Sequence, residues 1–79
     1  MASLIPITEP MQHGLLVPIT LDRFQEYIGA FIEFIPLPCG DYMVVAEVQA
    51  GLPRNQTASA LAGFRVCGIA VLCQPSEIA

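Results

Sequence analysis

Between Phe31 and Cys73 three runs, FIEFIPL, YMVVAEV and VCGIAVLC, carry apolar residues at nearly every position rather than at every second one. A strand with one wet face alternates apolar and polar side chains, so unbroken runs predict strands of a sheet covered on both sides. The turn residues Pro38 to Asp41 predict a hairpin joining a strand Phe31 to Pro36 to a return strand Tyr42 to Val48. In the first of these, Ile32 and Phe34 share one face while Phe31, Glu33 and Ile35 share the other. Val66 to Cys73 supplies the last strand, with Gly68 marking a bulge or a close backbone approach. Upstream, Ser3 to Ile7 and Leu15 to Val17 read as two short strands around a polar link, Thr8 to Gly14. Pro6 and Pro18 confine them to sheet edges or strand ends.

Two helices punctuate these strands. Thr20 is suited to cap a helix Leu21 to Ile28, with Asp22 well placed in its first turn and Gly29 just past its end. Leu21, Phe24 and Ile28 form an inward stripe, while Asp22, Arg23 and Glu26 point away. After the loop Gly51 to Asn55, Asn55 caps an alanine-rich helix from Gln56 to about Leu61, which Gly63 ends. The order β, β, α, β, β, α, β predicts an α+β fold, a small mixed or antiparallel sheet of about 4–5 strands with two short helices on one face. The other face is then open. One domain is expected over 1–79, made of an N-terminal hairpin 1–20, a core 21–73 and a frayed tail 74–79. Seventy-nine residues can hardly cover both faces of such a sheet, so a second copy or a larger partner is expected to supply the missing cover.

Composition strengthens that expectation. A hydrophobic fraction of 54% beside a charged fraction of 13% leaves too few polar residues to clothe so small a domain. Contiguous exposed apolar surface of this origin marks an interaction site. Pro, Gly or a charge interrupts every apolar segment before the roughly 18 residues that a membrane span needs. MASLIPITEP lacks a basic segment followed by a long apolar one, which points to an intracellular protein without a secretory signal. Three cysteines, an odd number, fit a reducing compartment. On one strand Cys67 and Cys73 would stand about 20 Å apart, too far for a disulfide.

Seven acids against three arginines, with no lysine, give a net charge of −4. Direct binding to nucleic acid is disfavoured, because neutralising phosphates needs a basic patch. An acidic surface can instead be steered toward a basic groove built for nucleic acid. No catalytic residue is expected and the chain does not read as an enzyme. His13 stands in the polar link without an acid or nucleophile near it in sequence, and the cysteines occur singly, without metal-ligand spacing. GLPRN lacks the lysine and glycine spacing of a phosphate loop, so no cofactor is implied. Glu33 and Glu47 facing one another would be only a like-charge pair. Arg54, Asn55 and Arg65 lie at the two ends of the second helix. They read either as a cap with a solvated rim or as receptors of a small anion.

From Tyr27 to Cys73 the order of elements resembles a small uncharacterised domain family of phages and conjugative elements. Its pattern is a helix ending near Gly-Gly, a strand resembling YIEFVPL, a hairpin, a strand ending in an acid, a Gly-Leu-Pro-x-Asn turn, a short alanine-containing helix and a final V-x-G-x-x-V-L strand. Tyr27 to Pro36, Glu47, Gly51 to Asn55 and Val66 to Cys73 carry the match, over about two thirds of the chain. Ala30 departs from it where a second glycine is common, and the stretch after Glu47 is shortened.

What this resemblance implies is an origin in mobile elements, and the chain looks like an anti-CRISPR protein directed at a type I complex, the I-C kind among them. The implied partner is the host CRISPR-Cas surveillance complex, Cascade, in the cytoplasm of the bacterial host, with DNA binding occluded and no chemistry performed. Asp22, Glu26, Glu33, Asp41 and Glu47 would then pair with basic residues of that complex. Phe31, Ile35 and Tyr42 would supply contact area or hold a homodimer. Two other readings stand beside it: a sponge for a nucleotide signal of another defence system, and a purely structural oligomerising protein.

Overall fold

A computed structural model describes all of residues 1–79. Its strands are β1 (Ser3–Ile5), β2 (Gln12–His13), β3 (Ile32–Pro36), β4 (Tyr42–Ala46) and β5 (Ala70–Cys73), with helices α1 (Leu21–Ile28) and α2 (Gln56–Ala62) and a terminal 3-10 turn, Pro75–Glu77. The strands form one sheet in the order β2-β1-β5-β4-β3, and every pairing is antiparallel. The fold is α+β, as the element order predicts.

The register divides the apolar residues between two cores. Ile5, Met43, Val45, Ala70 and Leu72 point to one face, where Ala58 and Ala62 of α2 meet them beside Val66 and Leu37. Leu4, Val44, Val71 and Cys73 point to the other, where Phe24, Tyr27 and Ile28 of α1 meet them beside Ile19 and Ile78. The two helices therefore lie on opposite faces, and not on one face as the element order suggested. That arrangement explains the unbroken apolar runs: each central strand is buried on both sides by the chain itself. The cover runs out at the outer strands: both residues of β2 are exposed, and Phe31, just before β3, is 74% exposed.

Local signals decide the helices. The Thr20 hydroxyl accepts from the Arg23 amide at 3.2 Å, and Gly29 ends α1 in the left-handed region at φ 79°. Phe24 is fully buried and carries the attachment of α1, whereas Leu21, expected in the same stripe, is exposed.

Helix α2 has only small side chains to bury and is held by polar contacts instead. Asn55, wholly buried, donates through Nδ2 to the carbonyls of Ile5 and Gly68, both at 2.9 Å, and accepts the Ala58 amide at 3.0 Å. One side chain thus ties the helix to β1 and to the segment before β5. The Ser59 hydroxyl adds a second tie, accepting from the Val66 amide at 2.8 Å and lying 3.2 Å from its carbonyl.

Several boundaries differ from expectation. The second strand is Gln12–His13 and not Leu15 to Val17, because the antiparallel register of β1 sets Ser3 against His13. Leu16 and Val17 are exposed. The final strand begins at Ala70; before it Cys67 forms a lone bridge with Arg54, and Gly68, at φ 85°, turns the chain. The tail is not frayed. Ile19 donates to the Glu77 carbonyl at 2.7 Å, Ala79 donates to the Ile19 carbonyl at 2.9 Å, and Ile78 packs into the α1-side core.

Candidate functional site

The sheet ends in two outer strands, the two-residue β2 and the longer β3, most of whose residues are exposed. Strand β3 pairs with β4 alone, in a register that sets Glu33 against Val45 and Ile35 against Met43. The Glu47 amide donates to the Phe31 carbonyl and the Leu37 amide to the Asp41 carbonyl, both at 2.8 Å. Hydrogen-bonded and non-hydrogen-bonded pairs alternate along an antiparallel ladder, so Phe31, Glu33, Ile35 and Leu37 direct their amides and carbonyls inward. Ile32, Phe34 and Pro36 direct theirs to the free edge. Proline has no amide to lose there, which suits it to an outermost strand. The edge offers the amides and carbonyls of Ile32 and Phe34 and the carbonyl of Pro36, the template to which another chain can pair.

Side chains flank this edge differently on its two faces. On the α2 side Phe31, Glu33 and Glu47 are exposed together. Glu47 stands opposite the backbone of Phe31, one pleat from Glu33, so two carboxylates without an ion-pair partner rim a large aromatic surface. On the α1 side Phe34 stacks edge-on against Phe24 at 5.3 Å and Tyr42 at 6.3 Å. Phe34 and Tyr42, with Pro75 and Ile78, line an open groove of about 420 Å³.

The five acids expected to act together are divided by the sheet. Glu33 and Glu47 lie on the α2 side, and Asp41 is half-buried at the far end of the same hairpin. Asp22 and Glu26 project from α1 on the other side, and Glu26 is paired with Arg23 at 3.7 Å. The three residues expected at a homodimer interface are also separated: Phe31 and the half-buried Ile35 share the α2 side, whereas Tyr42 belongs to the α1 side. Phe34, absent from the expected set, is the aromatic residue whose backbone and ring both reach the edge. Its alternation with Ile32 was readable in the sequence; the outermost position of its strand was not.

Other chemistry-bearing residues are accounted for within the fold. His13 lies on β2 rather than in a free link, its Nδ1 2.9 Å from the hydroxyl of Ser3. Ser3 is buried and none of the molecule's three grooves reaches the pair. Every buried side-chain nitrogen and oxygen has a hydrogen-bond partner. No group of three His, Cys, Asp or Glu side chains is arranged to hold a metal, and no helix is long and apolar enough to cross a membrane. All three cysteines are free thiols, Cys39 exposed and Cys67 and Cys73 buried. Burial, with the carboxylates of Glu77 and Asp41, raises the Cys73 thiol from 9.0 to about 11. Compared with protein-family models, curated proteins and solved structures, the chain matches none.

Proposed function

We propose that this protein is an inhibitory binding protein of phage or mobile-element origin. It docks on a type I CRISPR Cascade in the cytoplasm of the bacterial host and covers the basic surface meant for DNA, without chemistry. The observation that carries this reading is the β3 edge: a strand with one edge unpaired, beside an exposed Phe31 that is rimmed by Glu33 and Glu47. Backbone pairing and the aromatic ring supply contact, and unpaired carboxylates supply attraction to a basic surface. The link to Cascade in particular rests on the resemblance of Tyr27 to Cys73 described above.

The test is co-purification of the tagged protein with a type I-C Cascade, followed by a DNA-binding assay on the recovered complex. The expected result is co-purification with lost DNA binding. Reversal of Glu33 and Glu47 to lysine weakens the complex by about tenfold or more, and reversal of Asp22 and Glu26 on the opposite face changes it little. Failure to co-purify overturns the proposal; equal effects from the two pairs overturn the assignment to the β3 edge.

A structural reading draws on the same strand. Two copies of β3 paired antiparallel about Phe34 would set Glu33 of one copy against Ile35 of the other, so the carboxylates would not oppose each other. A monomeric mass in solution at high protein concentration removes this reading and leaves the first intact.

A further inference from the structure

The second surface of interest lies away from β3, on the outer side of α2. The backbone of Arg54 bridges that of Cys67, and the Asn55 amide donates to the Val66 carbonyl at 2.8 Å. This short antiparallel contact turns Asn55 and Val66 inward, where both are fully buried, and leaves Arg54 and Arg65 outside and close in register. Both arginines line a single open groove of about 290 Å³, together with Gln56, Ser59, Gly63 and Phe64.

Charge makes the arrangement informative. The chain has three arginines and no lysine against seven acids, yet two of its three arginines meet in one groove that no acid lines. Neither is spent on an ion pair, since the ion pairs of the molecule are Met1 with Glu77 and Arg23 with Glu26. Polar atoms elsewhere in the groove are already used: the Ser59 hydroxyl is bound to Val66 and the Gly63 amide donates to the Ser59 carbonyl at 2.9 Å. Asn55 is fully engaged as a cap and a tie, which removes it from any anion site. Among the side chains of the groove, the free donors that remain are the two guanidinium groups and the Gln56 carboxamide. A neighbouring groove that also takes in Arg54 contains Glu9, which disfavours an anion there.

Phe64 completes the site. The residue is 40% exposed and lines the same groove as the two guanidinium-bearing residues, offering a flat apolar ring beside planar cations. Guanidinium groups bind phosphate oxygens in forked pairs, and an exposed aromatic face stacks on a heterocycle. We propose that the Arg54–Arg65 groove binds a small phosphate-bearing molecule with a planar ring, that is, a nucleotide. The arginines hold the phosphates and Phe64 carries the base.

Nuclear magnetic resonance titration with ADP, pyrophosphate and adenosine tests this on the full chain. ADP is expected to shift the resonances of Arg54, Phe64 and Arg65 in a saturable manner, with pyrophosphate binding more weakly and adenosine weakest. Arg54→Gln and Arg65→Gln each lower ADP affinity by about tenfold or more. Phe64→Ala lowers ADP affinity while leaving that of pyrophosphate unchanged. All three side chains are exposed, so unchanged circular dichroism checks that the variants stay folded. The proposal is overturned if ADP produces no saturable shift at these residues, or if sulfate at equal ionic strength reproduces it. Neither outcome bears on the β3 edge, which lies on a different strand and is tested by Cascade binding.

Discussion

On one side of the sheet, α1 presses Phe24, Tyr27 and Ile28 into a core that also takes Val44, Val71 and Cys73. On the other, α2 has only Ala58 and Ala62 to bury, and Asn55 and Ser59 hold it through five hydrogen bonds to backbone groups of β1, the α2 first turn and the segment before β5. A large aromatic side chain attaches a helix by removing area from water and tolerates small shifts. A buried amide attaches one by direction and tolerates none, because each unpaired buried group costs its desolvation. The difference shows how a short alanine helix, too poor in apolar area to dock by itself, can still close a sheet. It also leaves the outer side of α2 free of large inward-turned side chains, with Arg54, Phe64 and Arg65 available at the surface.

Substitutions on the two sides measure that contrast. Asn55→Ala removes the cap and leaves the Ile5 and Gly68 carbonyls without their donor, at an expected cost of about 4–5 kcal/mol in urea denaturation. A loss below about 1 kcal/mol would show that water replaces the amide and that α2 docks by packing after all. Phe24→Ala is expected to cost about 3–5 kcal/mol, as for other large-to-small changes in a core, with Phe34 losing its edge-on neighbour. A clearly larger loss here than at Asn55 would reverse the ranking of the two sides.

The smallest effect concerns Cys73, in the α1-side core. Its folded thiol keeps its proton to about 11 while an unfolded thiol releases it near 9.0, so the contribution is complete below 9.0 and is lost as pH rises toward 11. Between about pH 8 and about pH 10 the wild type should lose about 1 kcal/mol more stability than Cys73→Ala does. Equal losses would mean that the thiol is hydrated in the fold, and that the α1 side is less tightly closed than Phe24 implies.

Much of this architecture is legible in local signals. Thr20 and Gly29 bound α1, Asn55 and Gly63 bound α2, and the turn from Pro38 to Asp41 joins β3 to β4, because caps and turns depend on residues only a few positions apart. The second N-terminal strand lies elsewhere because Leu15 to Val17 has the composition of a strand, whereas pairing with β1 selected the polar Gln12 and His13. Of the candidate sites, alternation placed Phe31 and Glu33 on one face and the length of α2 placed Arg54 and Arg65 at its two ends, but the exposure of the first pair and the meeting of the second, through the bridge of Arg54 with Cys67, came from the tertiary structure. The division of the acids between surfaces did too, since Asp22 and Glu26 read the same in sequence whichever face α1 takes.

The sequence by itself determined the α+β class, the order of the main strands and helices, and the capping residues. Each of these depends on spacing along the chain. Only the tertiary structure decided that the helices take opposite faces, that β3 is outermost with one edge unpaired, and that Ile19 closes against the tail at Glu77 and Ala79. Those are choices among packings whose local signals are identical. They are settled by contacts between residues far apart in the chain, of which the reach of Asn55 to Ile5 across 50 positions is the plainest example.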